Sequence, residues 1–101
     1  MSSPGGGPSV KLITVGVDSQ GNPTVNPVDC ALLSTTGEQC KWLSSNIPFQ
    51  INFAAGSPFA QSEFSGPSAP SGAIQSGATG PYKYNVTVGA KVLDPRVIIH
   101  P

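Results

Sequence analysis

Cys30, Cys40, His100 and five carboxylates (Asp18, Asp29, Glu38, Glu63 and Asp94) hold most of the reactive chemistry in this sequence. Two cysteines and one histidine cannot complete a tetrahedral zinc site within one chain. The carboxylates are far apart and mostly in turn-forming stretches, so no pair is set for general acid–base work. A nucleophilic triad would have to recruit His100, beside the C-terminal residue, where chains fray. Gly5-Gly6-Gly7 precedes a strand pattern rather than a helix, so it does not build a phosphate cradle. Asn85-Val86-Thr87 matches a glycosylation sequon, which matters only in a host that glycosylates secreted chains. The expectation is a protein that is not an enzyme, with no cofactor and no metal.

Cys30 and Cys40 flank a turn at Ser34 to Glu38, which leaves two outcomes. A disulfide would close a short loop and contribute roughly 2–3 kcal/mol in the chain-entropy model. In a reducing compartment both would instead be small buried hydrophobes. The opening Met1-Ser2-Ser3-Pro4-Gly5-Gly6-Gly7 lacks the basic start and apolar centre of a signal peptide. That favours the reduced pair and a cytoplasmic location, with secretion left open if a signal has been removed. Five basic and five acidic residues sum to zero charge. There is no basic footprint for nucleic acid or an anionic membrane surface. No apolar run approaches the roughly 20 residues of a membrane span. So few charges also put little repulsion between copies of the chain.

The elements that must position these residues read as strands. At 101 residues the chain makes one domain, with a flexible leader at 1–8 and a single β-sandwich at 9–101. The strongest period-2 signal is Gly80 to Val88, where Tyr82, Tyr84, Val86 and Val88 alternate with Lys83, Asn85 and Thr87. Gly89-Ala90 turns the chain into a return run from Lys91 to His100, with Asp94-Pro95 read as a turn or bulge. Val10 to Val17 is a strand. A polar turn at Asp18 to Pro23 leads to an extended run, Thr24 to Leu33, that Pro27 confines to an edge or bends. Cys40 and Trp42 share an inward phase. Ile47, Phe49, Ile51 and Phe53 point inward, with Pro48, Gln50 and Asn52 outward. Residues 54–79 form a long Ser/Gly/Pro/Ala loop with a short strand expected around Ala73 to Gln75. Phe59 and Phe64 either pin this loop to the body or, as loop aromatics, serve as possible partner contacts.

Seven such strands predict an all-β Greek-key sandwich. A strand bearing Trp42, then Phe/Ile alternation, a long excursion, Gly80-x-Tyr-x-Tyr and a closing Arg96-Val-Ile-Ile together resemble the cupredoxin fold from Val10 to Ile99. That resemblance implies a copper site built from two histidines, a cysteine and often a methionine. Here the first histidine position falls near Pro48 or Phe49 and the cysteine position near Val86. Met1 is the only methionine. The resemblance therefore implies the frame without its metal.

The expected core is Ile13, Val15, Trp42, Phe49, Ile51, Phe53, Tyr84, Val86, Val97 and Ile99. The expected function is a non-catalytic, metal-free module for binding a protein partner or itself. Edge strands beside the first or last strand are the expected open side. Two alternatives are a copper-binding electron-transfer protein with displaced ligands, and a carbohydrate-binding domain using exposed aromatics.

Overall fold

The computed structural model describes residues 9–101, so the expected leader at 1–8 lies outside the described residues. In chain order the strands are β1 (Val10–Val17), β2 (Pro23–Asn26), β3 (Asp29–Leu33), β4 (Gln39–Leu43), β5 (Gln50–Asn52) and β6 (Glu63–Ser65). They continue with β7 (Ser68–Pro70), β8 (Gly80–Lys83), β9 (Asn85–Val88), β10 (Lys91–Leu93) and β11 (Arg96–His100). The described residues contain no helix and form an all-β sandwich.

The hairpin of residues 80–100 is one ladder. Leu93 pairs with Val86 on one side of Asp94-Pro95, and Arg96 pairs with Lys83 on the other, in the same register. Pro95 has no N–H to give the ladder. Tyr84 N–H still donates to Pro95 O at 3.1 Å, so the strands stay side by side. The expected turn or bulge at Asp94-Pro95 is therefore corrected: no residue is inserted there. The two-residue turn Gly89-Ala90 closes the hairpin, with Gly89 in the left-handed region at φ 61° that side chains other than glycine's resist.

One sheet runs β2-β1-β4-β7. The unbroken hairpin joins the other two hydrogen-bonded groups, β10-β9-β5-β6 and β3-β11-β8, into the opposing layer. Two runs switch layers. The run β2 to β3 crosses at Pro27, leaving the β1 edge for the β11 edge. The run β6 to β7 crosses at Gly66-Pro67, leaving β5 for β4. Eleven strands stand where about seven were expected: the run through Pro27 and the two arms of the hairpin each count as two, β6 and β7 are added, and the strand expected at Ala73 to Gln75 is not among them.

β1 and β11 pair in parallel with β4 and β3. Both are interior, and the edge strands β2 and β3 lie beside them. The edge at β3 is guarded: Lys11 Nζ donates to Ala31 O at 2.8 Å, and Leu33 N–H donates to the Glu38 carboxylate at 2.8 Å. These side chains occupy the backbone groups on which another strand would pair. β8, the outer strand of its ladder, carries Pro81, which has no N–H to offer a further strand.

All ten expected core residues are buried, joined by Val25, Cys30, Leu32, Cys40, Phe59, Phe64 and Ala69. Trp42, Phe53, Phe59, Phe64 and Tyr84 form an aromatic cluster with ring centroids 5.0 to 6.4 Å apart. Most of these contacts are edge-to-face, as the ring quadrupoles prefer. Residues 54–79 are not one loop, since they contain β6 and β7. The expected strand at Ala73 to Gln75 is a single bridge from Ile74 to Phe59.

Candidate functional site: a groove lined by carboxamides

Inside the sandwich, Cys30 and Cys40 stand on opposing layers as free, buried thiols. Burial pushes the Cys40 thiol up to about 12, opposed by a hydrogen bond from Ser71 and reinforced by the neighbouring Cys30. Burial also raises Cys30. Neither is poised as a nucleophile, because the thiolate is the reactive form. Ser71, itself buried, takes the Cys40 N–H on its hydroxyl and donates its own N–H to Cys40 O. This serves packing.

Four of the five carboxylates are committed to the fold. Asp18 accepts the N–H groups of Gln20 and Asn22. Those backbone bonds hold its carboxyl below the usual range. Asp29 takes a two-point bond from Arg96, whose guanidinium lowers it likewise. Glu38 pairs with Lys11, and Asp94 with Lys83. Glu63 alone has no hydrogen bond or ion pair through its carboxylate among the described residues. No three metal-ligating side chains come together among the described residues. The copper positions implied by the cupredoxin resemblance hold buried apolar side chains, Phe49 and Val86. His100 is exposed at the end of β11.

Phe59 and Phe64 face inward, 1% and 9% exposed, as partners of Trp42. Their rings anchor 54–79, and a partner would meet Phe64 only at its margin. Of the seven aromatics, six are buried and Tyr82 is half-buried. The exposed aromatic rings named for a carbohydrate-binding domain are therefore not present among the described residues.

Glu63 opens onto a groove of about 650 Å³ on the outer face of β5, β6 and β9, reaching Val92 of β10 and Pro70 of β7. Strand alternation builds it. Ile51, Phe64 and Val86 point into the core, so their neighbours Gln50, Asn52, Glu63, Ser65, Asn85 and Thr87 point out. Register brings them together: Asn52 lies opposite both Asn85 and Glu63, and Gln50 opposite both Thr87 and Ser65. No lysine or arginine lines the groove. The outward phase of Gln50, Asn52, Asn85 and Thr87 was readable in the alternation. That β5 would lie between β6 and β9 had no signal in the sequence.

The chain matches no protein-family model and no curated protein.

Proposed function

We propose that the chain is a non-catalytic, metal-free module, cupredoxin-like and Greek-key in frame, that works by protein contact and associates with its own copies. The cupredoxin-like frame is supported by the order of its runs: the Trp42 strand, the Phe49–Phe53 run, the excursion, Gly80-x-Tyr-x-Tyr and the closing strand.

One observation carries the contact reading. Val10 and Leu12 stand 50% and 56% exposed on the outer face of β1, an interior strand. Leu43, half-buried, extends that face on the neighbouring β4, where Lys41 lies directly opposite Leu12. Large apolar side chains grouped on a sheet face mark contact sites, and a chain of zero net charge offers little repulsion to a second copy. In this reading the contact is face to face over Val10 and Leu12, and the β3 edge is covered by Lys11 and Glu38.

Sedimentation velocity over a concentration series tests this. The wild type is expected to shift reversibly to a dimer or larger species, and Leu12→Glu to remain monomeric with an unchanged circular dichroism spectrum. A wild type that stays monomeric throughout overturns the reading. Copper titration of the reduced protein is expected to give no saturable equivalent with a thiolate-to-copper absorption band, because Phe49 and Val86 fill the implied ligand positions.

A further inference from the structure

The polar side chains over β5, β6 and β9 do not serve the fold. Elsewhere, Asp18 closes a turn, Glu38 guards an edge and Asp29 pairs across strands. The carboxamides of Gln50, Asn52 and Asn85, the hydroxyls of Ser65 and Thr87, and the Glu63 carboxylate bond to no other described residue. They nevertheless converge on one concave surface of about 650 Å³, within the size range of small-molecule sites.

Their chemistry selects the ligand. Each carboxamide donates and accepts, and a carboxylate accepts twice, which complements hydroxyl groups that also donate and accept. The groups repeat across neighbouring strands about 4.8 Å apart, close to the length of one pyranose unit. With no cation in the lining, phosphate, sulfate and carboxylate ligands find no counter-charge, and Glu63 repels them. One exposed carboxylate attracts a basic ligand only weakly. A protein partner would anchor an aromatic or arginine side chain in a dry pocket, whereas here Ile51, Phe64, Ala69, Pro70 and Val92 share an open groove with eight polar side chains.

We propose that this groove binds a neutral, polyhydroxylated ligand, an oligosaccharide lying across β6, β5 and β9. It is centred on β5, β6 and β9, in the layer opposite Leu12, and meets the Leu12 sheet only at its far strand β7, away from Val10 and Leu12 on β1, so the two sites stand or fall separately.

The test is a titration of isotope-labelled protein followed by amide NMR shifts. The probes are cellohexaose, xylohexaose, mannohexaose and maltohexaose, each to about 10 mM, high enough to detect weak binding. At least one is expected to move the amides of residues 50–52, 63–65 and 85–87, the paired stretches of the groove. Asn52→Ala and Asn85→Ala, both at solvent-facing positions, should each weaken that binding roughly fivefold. Added salt should leave it unchanged, because no charge is neutralised. No shift with any of the four sugars overturns the proposal, as do shifts confined to other surfaces. A groove response to oligolysine, abolished by salt and by Glu63→Gln, would reassign the site to cations and equally overturn it. Leu12→Glu should bind sugar as the wild type does, whatever its state of association.

Discussion

The indole N–H of Trp42 donates to the phenol oxygen of Tyr84 over 3.1 Å, tying β4 in one layer to the long hairpin in the other. Both side chains are fully buried, so no water can replace either partner. Burial raises the Tyr84 hydroxyl well above its ordinary range, and the bond from Trp42 opposes that rise. Tyr84→Phe keeps the ring but leaves the indole donor unpaired. It should cost about 1–3 kcal/mol in urea denaturation. Adding Trp42→Phe should then cost less than it does in the wild type, because the orphaned donor is gone. Additive losses would show that the bond contributes nothing beyond packing.

Phe49 and Gly66 make a second coupled pair. A Cβ built on Gly66 would lie 2.1 Å from the Phe49 ring. Glycine is needed there for space, at the point where the chain leaves one layer for the other. Gly66→Ala should destabilise by about 1–3 kcal/mol through overpacking, and Phe49→Ala by about 3–5 kcal/mol through the cavity it leaves. Combining them should recover part of the Gly66→Ala loss. A double variant whose cost equals the sum of the two would refute the contact.

The thiols should react as buried groups. Iodoacetamide at about pH 8 is expected to label the folded protein slowly and both cysteines rapidly in guanidinium. An intact mass two hydrogens light, with no label gained in denaturant, would show a disulfide. Burial raises the folded Cys40 value from 9.0 to about 12. Its contribution to stability is thus complete below pH 9 and falls as the pH climbs from there, because the unfolded thiol ionises first. Cys40→Ala should flatten that alkaline decline.

Acid acts through Asp18 and Asp29. Both are held below the ordinary 3.8, by the backbone bonds of Asn22 and Gln20 in one case and by Arg96 in the other. The unfolded chain therefore takes up these protons first, and stability rises with pH across that window. Their contribution is present above about pH 4 and lost below it. Melting curves between pH 2 and pH 5, in about that range, should fall less steeply for Asp18→Asn or Asp29→Asn. Parallel curves would remove these two carboxylates from the explanation.

The hairpin and β1 were legible because alternation is a local signal. Tyr84, Val86, Val97 and Ile99 each fall one residue from a polar or less buried neighbour, and all four are buried. β6 and β7 were not legible. Each has three residues with one inward side chain, Phe64 or Ala69, inside a stretch of serine, glycine and proline. Strand neighbours were hidden as well, because the parallel pairings of β1 with β4 and β3 with β11 join distant segments. The groove shows the same division. Its polar faces were visible strand by strand, whereas Glu63 joined them only through the pairing of β6 with β5.

Because β2 to β3 and β6 to β7 each belong to both layers, at opposite margins of the sandwich, neither layer can detach while the other stays intact. Opening one seam strips a strand from each side at once. The molecule behaves mechanically as a flattened closed tube, and its slowest-exchanging amides in the two layers should lose protection together, at one denaturant concentration.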